Sequence, residues 1–568
     1  MLGRRNAKLL QEYLVRTDWV ALISIVLALI FLETLSTAYL FPIYPDEIQG
    51  RFWLSRLPYD FPDKISGAPM CLSTYFQSIP ATMYLPGLIN WVVHGRLDNI
   101  IALRQVGFFV AFIWVGGLAL YLYARASSAQ VEDMPSKKLL GVYIAGIFIA
   151  LFSIGVFPFF LVTNRGEQLI LPSVVLLVAV FLISSSPKFK SNHWKLSGLI
   201  VLYFAAVSLI LYGHPKGLFL TPVFIVIGWQ LFGHYKSRWP FVIAMSLLVV
   251  HIVQDIAALK YAFKCSEAPE FEAMLNRFSF DPLSLLYDPQ HFFEQAYASW
   301  LHFPKYIDQL GFQVRTDINY LLAQPLTRSA SIANTFIGID LAVLFFTLML
   351  FIPVQYYRKD IRTGRVVTAN LVLATLFACT LISATFNLPK NWYDAGYLYA
   401  LLLIILIFFV GENFSGMLKK PGARRIYLYM GVVAILSQVV LTDRYYPVFK
   451  MGYAGPSVSV VNFDPTKANA EMEAVSRRCD IDPVNSNKII VDDFTYMFFE
   501  KSKWPMPFTY LGYLKDKESL QNFFSKADSD GLVVRCGAMH DSNMPYVKRE
   551  GRVCCISKGD LKELSAIP

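Results

Sequence analysis

Long apolar runs alternate with short polar segments from the beginning of the chain to about residue 441. An α-helix needs about 20 mostly apolar residues to cross the hydrocarbon core of a bilayer. The pattern therefore predicts about eleven membrane-spanning helices. Their approximate bounds are 19–43, 101–123, 139–162, 169–185, 196–212, a segment ending at 232, 240–262, 336–356, 366–386, 397–410 and 426–441.

Two segments between predicted spans are too long to be simple turns. Residues 43–100 form the first of them, with prolines at 58, 62, 69, 80 and 86 that would interrupt a helix. Within it, the stretch 83–93 is amphipathic and too short to cross a bilayer, so it predicts a helix lying in the interface. Residues 263–333 are rich in aromatic residues and prolines, and we expect interfacial helices there as well.

The polar remainder, residues 442–568, predicts a small soluble α/β domain after a membrane domain of residues 1–441. Helical patterns and short apolar runs alternate in it, which favours a layer of strands covered by helices. The predicted helices cover 464–478 and 517–527, and the predicted strands cover 488–491, 531–535 and 551–556.

Composition agrees with a polytopic α-helical membrane protein. Hydrophobic residues make up 55% of the 568 residues and charged residues only 16%, with a mean hydropathy of +0.45. Soluble domains carry about 25% charged residues. The first apolar run is longer than a signal-peptide core and lacks an A-x-A cleavage site, so we expect it to remain as an anchor.

The net charge of +10 is distributed as membrane orientation requires. Lysines and arginines cluster in alternate loops between spans, the pattern of cytoplasmic loops, and the basic residues near the N-terminus place that end in the cytoplasm. An odd number of spans then predicts that the C-terminal domain lies on the opposite side from the N-terminus, which is the periplasmic side of a bacterial inner membrane. Membrane lipids are the expected partners of these cations, and nucleic acid is not.

The cysteines follow the same topology. Six of the seven fall on predicted outer segments, where an oxidising compartment permits disulfides, and Cys379 falls within a span. Six cysteines allow about 15 pairings, so the connectivity stays open. The outer cysteines are Cys71, Cys265, Cys479, Cys536, Cys554 and Cys555.

Charged side chains gather at the outer ends of the predicted spans. Cations there can hold a phosphate group, and a carboxylate can take a proton from an incoming hydroxyl. Each pair taken alone could equally be a snorkelling residue or a helix-terminal charge, so their placement on one side is the informative feature. The clusters are Asp46, Glu47 and Arg51; Arg165 and Glu167; His214 and Lys216; His251 and Asp255, one helical turn apart; and Lys390 and Asp394.

The order of these features resembles the GT-C glycosyltransferases, polytopic enzymes that use polyprenyl-phosphate sugars, including protein O-mannosyltransferases and the aminoarabinose transferase. In that superfamily an acidic motif opens the first outer loop, matched here by Asp46 and Glu47. An interfacial helix with a proline near its start follows, matched by Tyr84 to Trp91. A glycine and an arginine then lead into the second span, matched by Gly95 and Arg104.

The resemblance implies a GT-C-like fold and a single inverting displacement on a polyprenyl-phosphate sugar, with a glycan, lipid or protein as acceptor. Asp46 would be the base and Glu47 its support. No cofactor is implied; metal dependence varies within the superfamily, and no ligand cluster here argues for a metal. The expected donor-phosphate ligands are Lys216, Arg165, His214 and Lys390, and the expected substrate-binding residues are Arg51, Arg104, Tyr84 and Asp394.

Two other functional classes remain open on the residues alone. A lipid or glycan transporter would normally show internal repeats and polar residues at mid-membrane, and neither is evident. An O-antigen-type polymerase or ligase would use essential arginines in a large outer loop, for which Arg277, Arg315 and Arg328 are candidates.

Overall fold

The structure is a computed structural model in which parts of the chain are described. They comprise, with short gaps, residues 100–128, 144–186, 193–263, 279–310, 328–361, 367–417, 465–499, 506–507, 529–536 and 546–566. Isolated residues are described at 189 and 276, between 26 and 35, and between 432 and 437.

The described part is mainly helical and confirms eight of the predicted spans as helices that are long and apolar enough to cross a membrane. The predicted spans at 19–43 and 426–441 lie mostly outside the described residues, so the count of about eleven stays a prediction. The helices of this region are α1 Ile100–Ser128, α2 Phe157–Val162, α3 Glu167–Ser184, α4 His193–Gly213, α5 Thr221–Phe232, α6 Trp239–Phe263, α7 Ser284–Tyr287, α8 Pro289–Leu301, α9 Lys305–Leu310, α10 Arg328–Gln355, α11 Ala369–Phe386 and α12 Trp392–Met417.

Helix α12 lies at the centre of the bundle. Nearly all of its side chains from Trp392 to Asn413 are buried, and it packs against α1, α9, α10 and α11. A helix that is apolar on every face is stable only when other helices surround it. In contrast, α6 exposes Leu247, Val250 and Val253, as a helix at the lipid boundary would.

The predicted span at 139–162 is interrupted. Its described residues are helical up to Leu151, turn at 152–155, where Gly155 has a φ of 57°, and resume as α2, whose six residues are all buried. A break in a helix frees backbone carbonyls that must find donors within the protein. The hydroxyl of Tyr399, on α12, donates to the carbonyl oxygen of Leu151 at 2.8 Å.

The long segment after α6 contains helices, as predicted from its aromatic content. α7, α8 and α9 are short, and α8 turns Phe292 and Ser299 towards the end of α11 while Phe293 and Tyr297 are exposed. The stretch 83–93, predicted as an interfacial helix, lies outside the described residues.

The C-terminal part confirms the predicted α/β layer. Its elements are α13 Pro465–Arg478, β1 Ile489–Val491, β2 Met506–Pro507, β3 Gly531–Arg535, β4 Lys548–Glu550, β5 Val553–Ser557 and α14 Lys558–Ala566. The strands form a five-stranded sheet in the order β2-β1-β3-β5-β4; β2, β1 and β3 are parallel, and β5 is antiparallel to β3 and β4. The predicted helix at 517–527 lies outside the described residues.

Two disulfides connect this layer. Adjacent residues of a strand point to opposite faces of a sheet. Cys555 accordingly bonds to Cys479, just after α13, and Cys554 bonds to Cys536, at the end of β3. Cys379 is a free, buried thiol in α11, and Cys71 and Cys265 lie outside the described residues.

Candidate active site at one end of the helix bundle

Six of the ten predicted site residues lie in the described part of the chain. Asp46, Glu47, Arg51 and Tyr84 lie outside it, so their roles stay predictions. Of the described six, the structure brings four together, at the end of the bundle where α3 and α12 begin and α4 ends; Arg104 and Lys390 occupy separate positions. The four are Arg165, His214, Lys216 and Asp394.

The glycines of two turns allow this meeting. A Cβ atom placed on Gly166 would overlap the carbonyl oxygen of Gly213, so the turn before α3 and the turn after α4 touch through their backbones. A side chain at residue 166 would force these turns apart. Because the turns touch, His214 and Lys216 lie beside Glu167, the first residue of α3.

Glu167 is the common partner of the cluster. Its side chain is completely buried; Oε1 accepts a hydrogen bond from Lys216 Nζ at 2.7 Å, and Oε2 accepts one from Arg165 Nε at 3.3 Å. The sequence indicated only that Glu167 is close to Arg165. Its role depends on Lys216, which is 49 residues away in the chain.

Asp394, in the first turn of α12, completes the ion pairs. Its Oδ1 lies 2.7 Å from Lys216 Nζ, so one buried ammonium joins carboxylates of two different helices. The preceding residue, Tyr393, lies under the guanidinium of Arg165, with 3.9 Å between Cζ and the ring centroid. We call Arg165, Glu167, His214, Lys216 and Asp394 the cation site.

His214 enters the site as a neutral imidazole. Burial, together with the positive charges of Lys216 and Arg165, outweighs the attraction of Glu167 and lowers its pKa to about 3. Its Nδ1 accepts a hydrogen bond from the Lys216 backbone N–H at 3.2 Å, so the ring proton is on Nε2, 3.9 Å from Glu167 Oε1. At neutral pH His214 therefore holds the turn in place and adds no positive charge to the cation site.

Lys390, in the turn between α11 and α12, is buried but has different neighbours. Its Nζ donates to the carbonyl oxygen of Ala384 at 2.6 Å and to Ser299 Oγ at 2.7 Å. Burial lowers its pKa to about 8, against an opposing attraction from Asp394. It is therefore near the cation site, but its hydrogen bonds are made to neutral groups.

Arg104 is a completely buried arginine of α1. Its guanidinium lies over the ring of Phe159, 5.4 Å from the centroid, and that ring packs at 5.0 Å against Trp392, the first residue of α12. Arg104 thus reaches the start of α12 through two aromatic rings.

The remaining candidates lie elsewhere. His251 and Asp255 are one turn apart on α6, as predicted, with Nε2 and Oδ2 3.7 Å apart. Arg328, at the start of α10, is exposed, and Arg277 and Arg315 lie outside the described residues.

The arrangement can bind an oxyanion. Guanidinium and ammonium groups form strong, charge-assisted hydrogen bonds to phosphate. Glu167 holds both cations in place, and Asp394 makes a second contact to Lys216. Burial strengthens each of these interactions because little water is present to screen them.

Comparisons with known proteins complete the description. No protein-family model matches the chain, and no curated protein sequence matches it. Among solved structures it is similar to ArnT from Cupriavidus metallidurans bound to undecaprenyl phosphate, over 97% of this chain and 99% of that one, with 13% identity and a TM-score of 0.49. For the apo state of the same protein the coverage and identity are the same and the TM-score is 0.46.

A third similar structure is the Archaeoglobus fulgidus oligosaccharyltransferase tethered with an acceptor peptide. The similarity covers 91% of this chain and 69% of that one, with 10% identity and a TM-score of 0.39.

Proposed function

We propose that this protein is a membrane glycosyltransferase that transfers a sugar from a polyprenyl-phosphate donor to an acceptor hydroxyl. The observation that carries the proposal is the placement of Lys216 and Arg165. Both are held by buried carboxylates at the end of a bundle of membrane-spanning helices. Charged groups at such a position are costly, and they are typical of a substrate site.

The chemistry fits a lipid-linked phosphate. A polyprenyl donor has its chain in the bilayer and its phosphate at the boundary, which is the level at which membrane helices end. Lys216 and Arg165 bind the phosphate oxygens and stabilise the negative charge that develops there as the sugar departs. Tyr393, already stacked on Arg165, limits the directions from which that guanidinium can be approached.

The reaction is a single displacement. The acceptor oxygen forms a bond to the anomeric carbon while the bond from that carbon to the phosphate oxygen breaks, with inversion. Asp46 takes the proton of the acceptor hydroxyl, Glu47 supports it, and polyprenyl phosphate leaves. Arg51, Tyr84 and Arg104 are proposed to contribute to substrate binding. The site faces the periplasmic side of a bacterial inner membrane, and the acceptor is a glycan, a lipid or a protein.

The test is transfer of labelled sugar from a polyprenyl-phosphate donor in proteoliposomes. Removing a general base lowers the rate by about 10² to 10⁴-fold, so we expect that loss for Asp46→Asn. Lys216→Met should weaken binding of polyprenyl phosphate, measured separately on the purified protein, whereas Asp46→Asn should bind it as wild type does. Full transfer by Asp46→Asn would remove Asp46 from the role of base.

Arg328→Gln is the matched control, because Arg328 is an exposed arginine outside the cation site. It should transfer sugar at the wild-type rate. Loss of activity in Arg328→Gln with full activity in Asp46→Asn would favour a polymerase or ligase. Movement of the lipid across the bilayer without a covalent product would favour a transporter.

A further inference from the structure

The contacts of Lys390 are those of a side chain that stabilises the C-terminal end of a helix. Its ammonium donates to Ala384, whose carbonyl oxygen belongs to the last turn of α11, and to Ser299 of α8. The carbonyls of a last helical turn have no partner within the helix, and a cation placed there interacts favourably with the helix dipole.

Two further hydrogen bonds are made to carbonyl oxygens of this last turn of α11. Tyr306, on α9, donates its hydroxyl hydrogen to Ala384 O at 3.1 Å, and its ring lies 5.1 Å from the ammonium of Lys390. Ser299 donates to the carbonyl oxygen of Thr385. Lys390, Ser299 and Tyr306 thus form one network that connects α8 and α9 to the end of α11.

Aromatic packing supports the same connection. Phe386, the last residue of α11, stacks on Phe280 at 4.5 Å between ring centroids and lies 5.9 Å from Phe292 of α8. On another side it stacks at 5.0 Å on Phe219, which lies three residues after Lys216. Helix α8, the end of α11 and the turn that carries Lys216 therefore pack around the ring of Phe386.

The backbone at Lys390 leads directly into the cation site. Its φ of 54° is in the left-handed region, which a lysine adopts only at a cost in free energy, so its contacts must hold it there. The next residue, Asn391, donates through its side-chain amide to the hydroxyl of Tyr393 at 2.6 Å. Tyr393 and Asp394 then contact Arg165 and Lys216.

We infer that Lys390 is a positioning residue. It holds helices α8 and α9 against the end of α11 and so aligns Tyr393 and Asp394 with the cations of the site. The inference rests on the proposed function, because it takes the donor phosphate to bind at the cation site. Lys390 then lies beside that phosphate and does not bind it. Its acceptors are the neutral oxygens of Ala384 and Ser299.

Hydrogen exchange of the full-length protein in nanodiscs tests whether Lys390 holds α8 and α9 against α11, and it does not require activity. Losing the buried hydrogen bonds in Lys390→Met should speed exchange in peptides covering 289–310 by about tenfold. Ser299→Ala should give a smaller increase in the same peptides, and Lys390→Arg, which keeps a cationic donor, should restore slow exchange. Lys305→Met is the matched control, since Lys305 is an exposed lysine of α9 and its removal should change nothing.

Kinetics and binding test the positioning. We expect Lys390→Met to lower kcat about tenfold with an unchanged donor KM, the pattern of a lost transition-state interaction. Its Kd for polyprenyl phosphate should equal that of wild type, and Lys390→Arg should recover kcat. Weaker polyprenyl-phosphate binding with unchanged exchange would make Lys390 a phosphate ligand and overturn the inference.

The outcomes separate this inference from the proposed function. If wild type transfers no sugar, the proposed function fails, and the exchange and binding measurements still decide the role of Lys390. If Lys390→Met does not fold, the Ser299→Ala variant tests the inference instead. Faster exchange in 289–310 supports it, and unchanged exchange overturns it.

Discussion

The two ends of α12 both carry charged side chains, but the surroundings of those charges differ. At the first turn Asp394 binds Lys216 at 2.7 Å, and both residues and Glu167 are buried. At the last turns Glu412 pairs with Arg125 and accepts the hydroxyl hydrogen of Tyr121 at 2.8 Å. There the side chains of Arg125 and Glu412 are 43% and 20% exposed.

The difference distinguishes an ion pair that only connects two helices from a cluster of charges that can bind a ligand. A solvent-exposed ion pair contributes about 0 to 1 kcal/mol and has a small desolvation cost, so a bundle can use one wherever two helices meet. Burying the charged side chains of Glu167, Lys216 and Asp394 together has a large desolvation cost that their mutual attraction only partly offsets. Such a cluster is a poor way to stabilise a bundle, which is why we assign a function to the cation site and none to the Glu412 end.

The largest expected effect is the loss of the carboxylate of Glu167. Glu167→Gln leaves Lys216 and Arg165 without their shared buried partner and should lower the free energy of unfolding by about 3–5 kcal/mol. Glu412→Gln, at the exposed end, should lower it by about 1 kcal/mol or less. Unfolding of both variants in detergent checks the contrast.

A double variant serves as the control for that measurement. Glu167→Gln combined with Arg165→Gln removes both charges of one pair and leaves the pair of Lys216 with Asp394 intact, so much of the lost stability should return while binding of polyprenyl phosphate stays weak. Equal losses in Glu167→Gln and Glu412→Gln would mean that the two ends do not differ as described.

A smaller effect is expected from pH, through His214. Its pKa of about 3 in the folded protein is below the ordinary histidine value of 6.5 because of burial, so between these values the unfolded chain binds a proton that the folded protein does not. Stability from this group is therefore complete above pH 6.5 and decreases as the pH falls towards 3. Unfolding followed from pH 7 to pH 4.5 should show a steeper loss in wild type than in His214→Asn.

His214→Asn retains an acceptor for the Lys216 amide, so its stability at pH 7 should change little. The same pH dependence in both proteins would show that His214 is not the titrating group. The ion pair of Glu412 with Arg125 should be the same in His214→Asn as in wild type.

The smallest effect concerns Tyr121. Tyr121→Phe removes the hydroxyl that donates to Glu412 and leaves the ring, which packs 4.9 Å from Phe408. One such hydrogen bond contributes about 0.5–1.5 kcal/mol, so the change in the free energy of unfolding should lie in that range and sugar transfer should be unaffected. A loss of transfer would show that the two ends of α12 are coupled.

Much of the fold could be predicted because its pattern is local. Long apolar runs predicted the spans that became α1, α3 to α6 and α10 to α12, and short apolar runs predicted β1, β3 and β5. The interruption at 152–155 was not predicted, since its apolar residues continue the hydrophobic run. Only the surrounding helices, with Tyr399 satisfying Leu151, make a break there stable.

The site was predicted in part. The alternation of spans predicts that Arg165, Lys216 and Asp394 lie on the same side of the membrane, and the structure shows them in one cluster of ion pairs with Glu167. The sequence predicts no separate role for Glu167, because a carboxylate that begins a helix can simply interact with the helix N-terminus. For Lys390 the sequence predicts a phosphate ligand, because it shows the charge of this residue and not its contacts with Ala384 and Ser299.

Sequence alone determined where along the chain the apolar spans end and which charges lie near those ends, because crossing a bilayer requires apolar length. Tertiary structure decided which of those charges meet. Lys216 lies between Glu167 and Asp394 because two glycine-containing turns touch and α12 occupies the centre of the bundle. Lys390 contacts the last turn of α11, and those contacts hold its backbone in the left-handed region. Both results depend on contacts between residues distant in the chain, which hydrophobic periodicity does not encode.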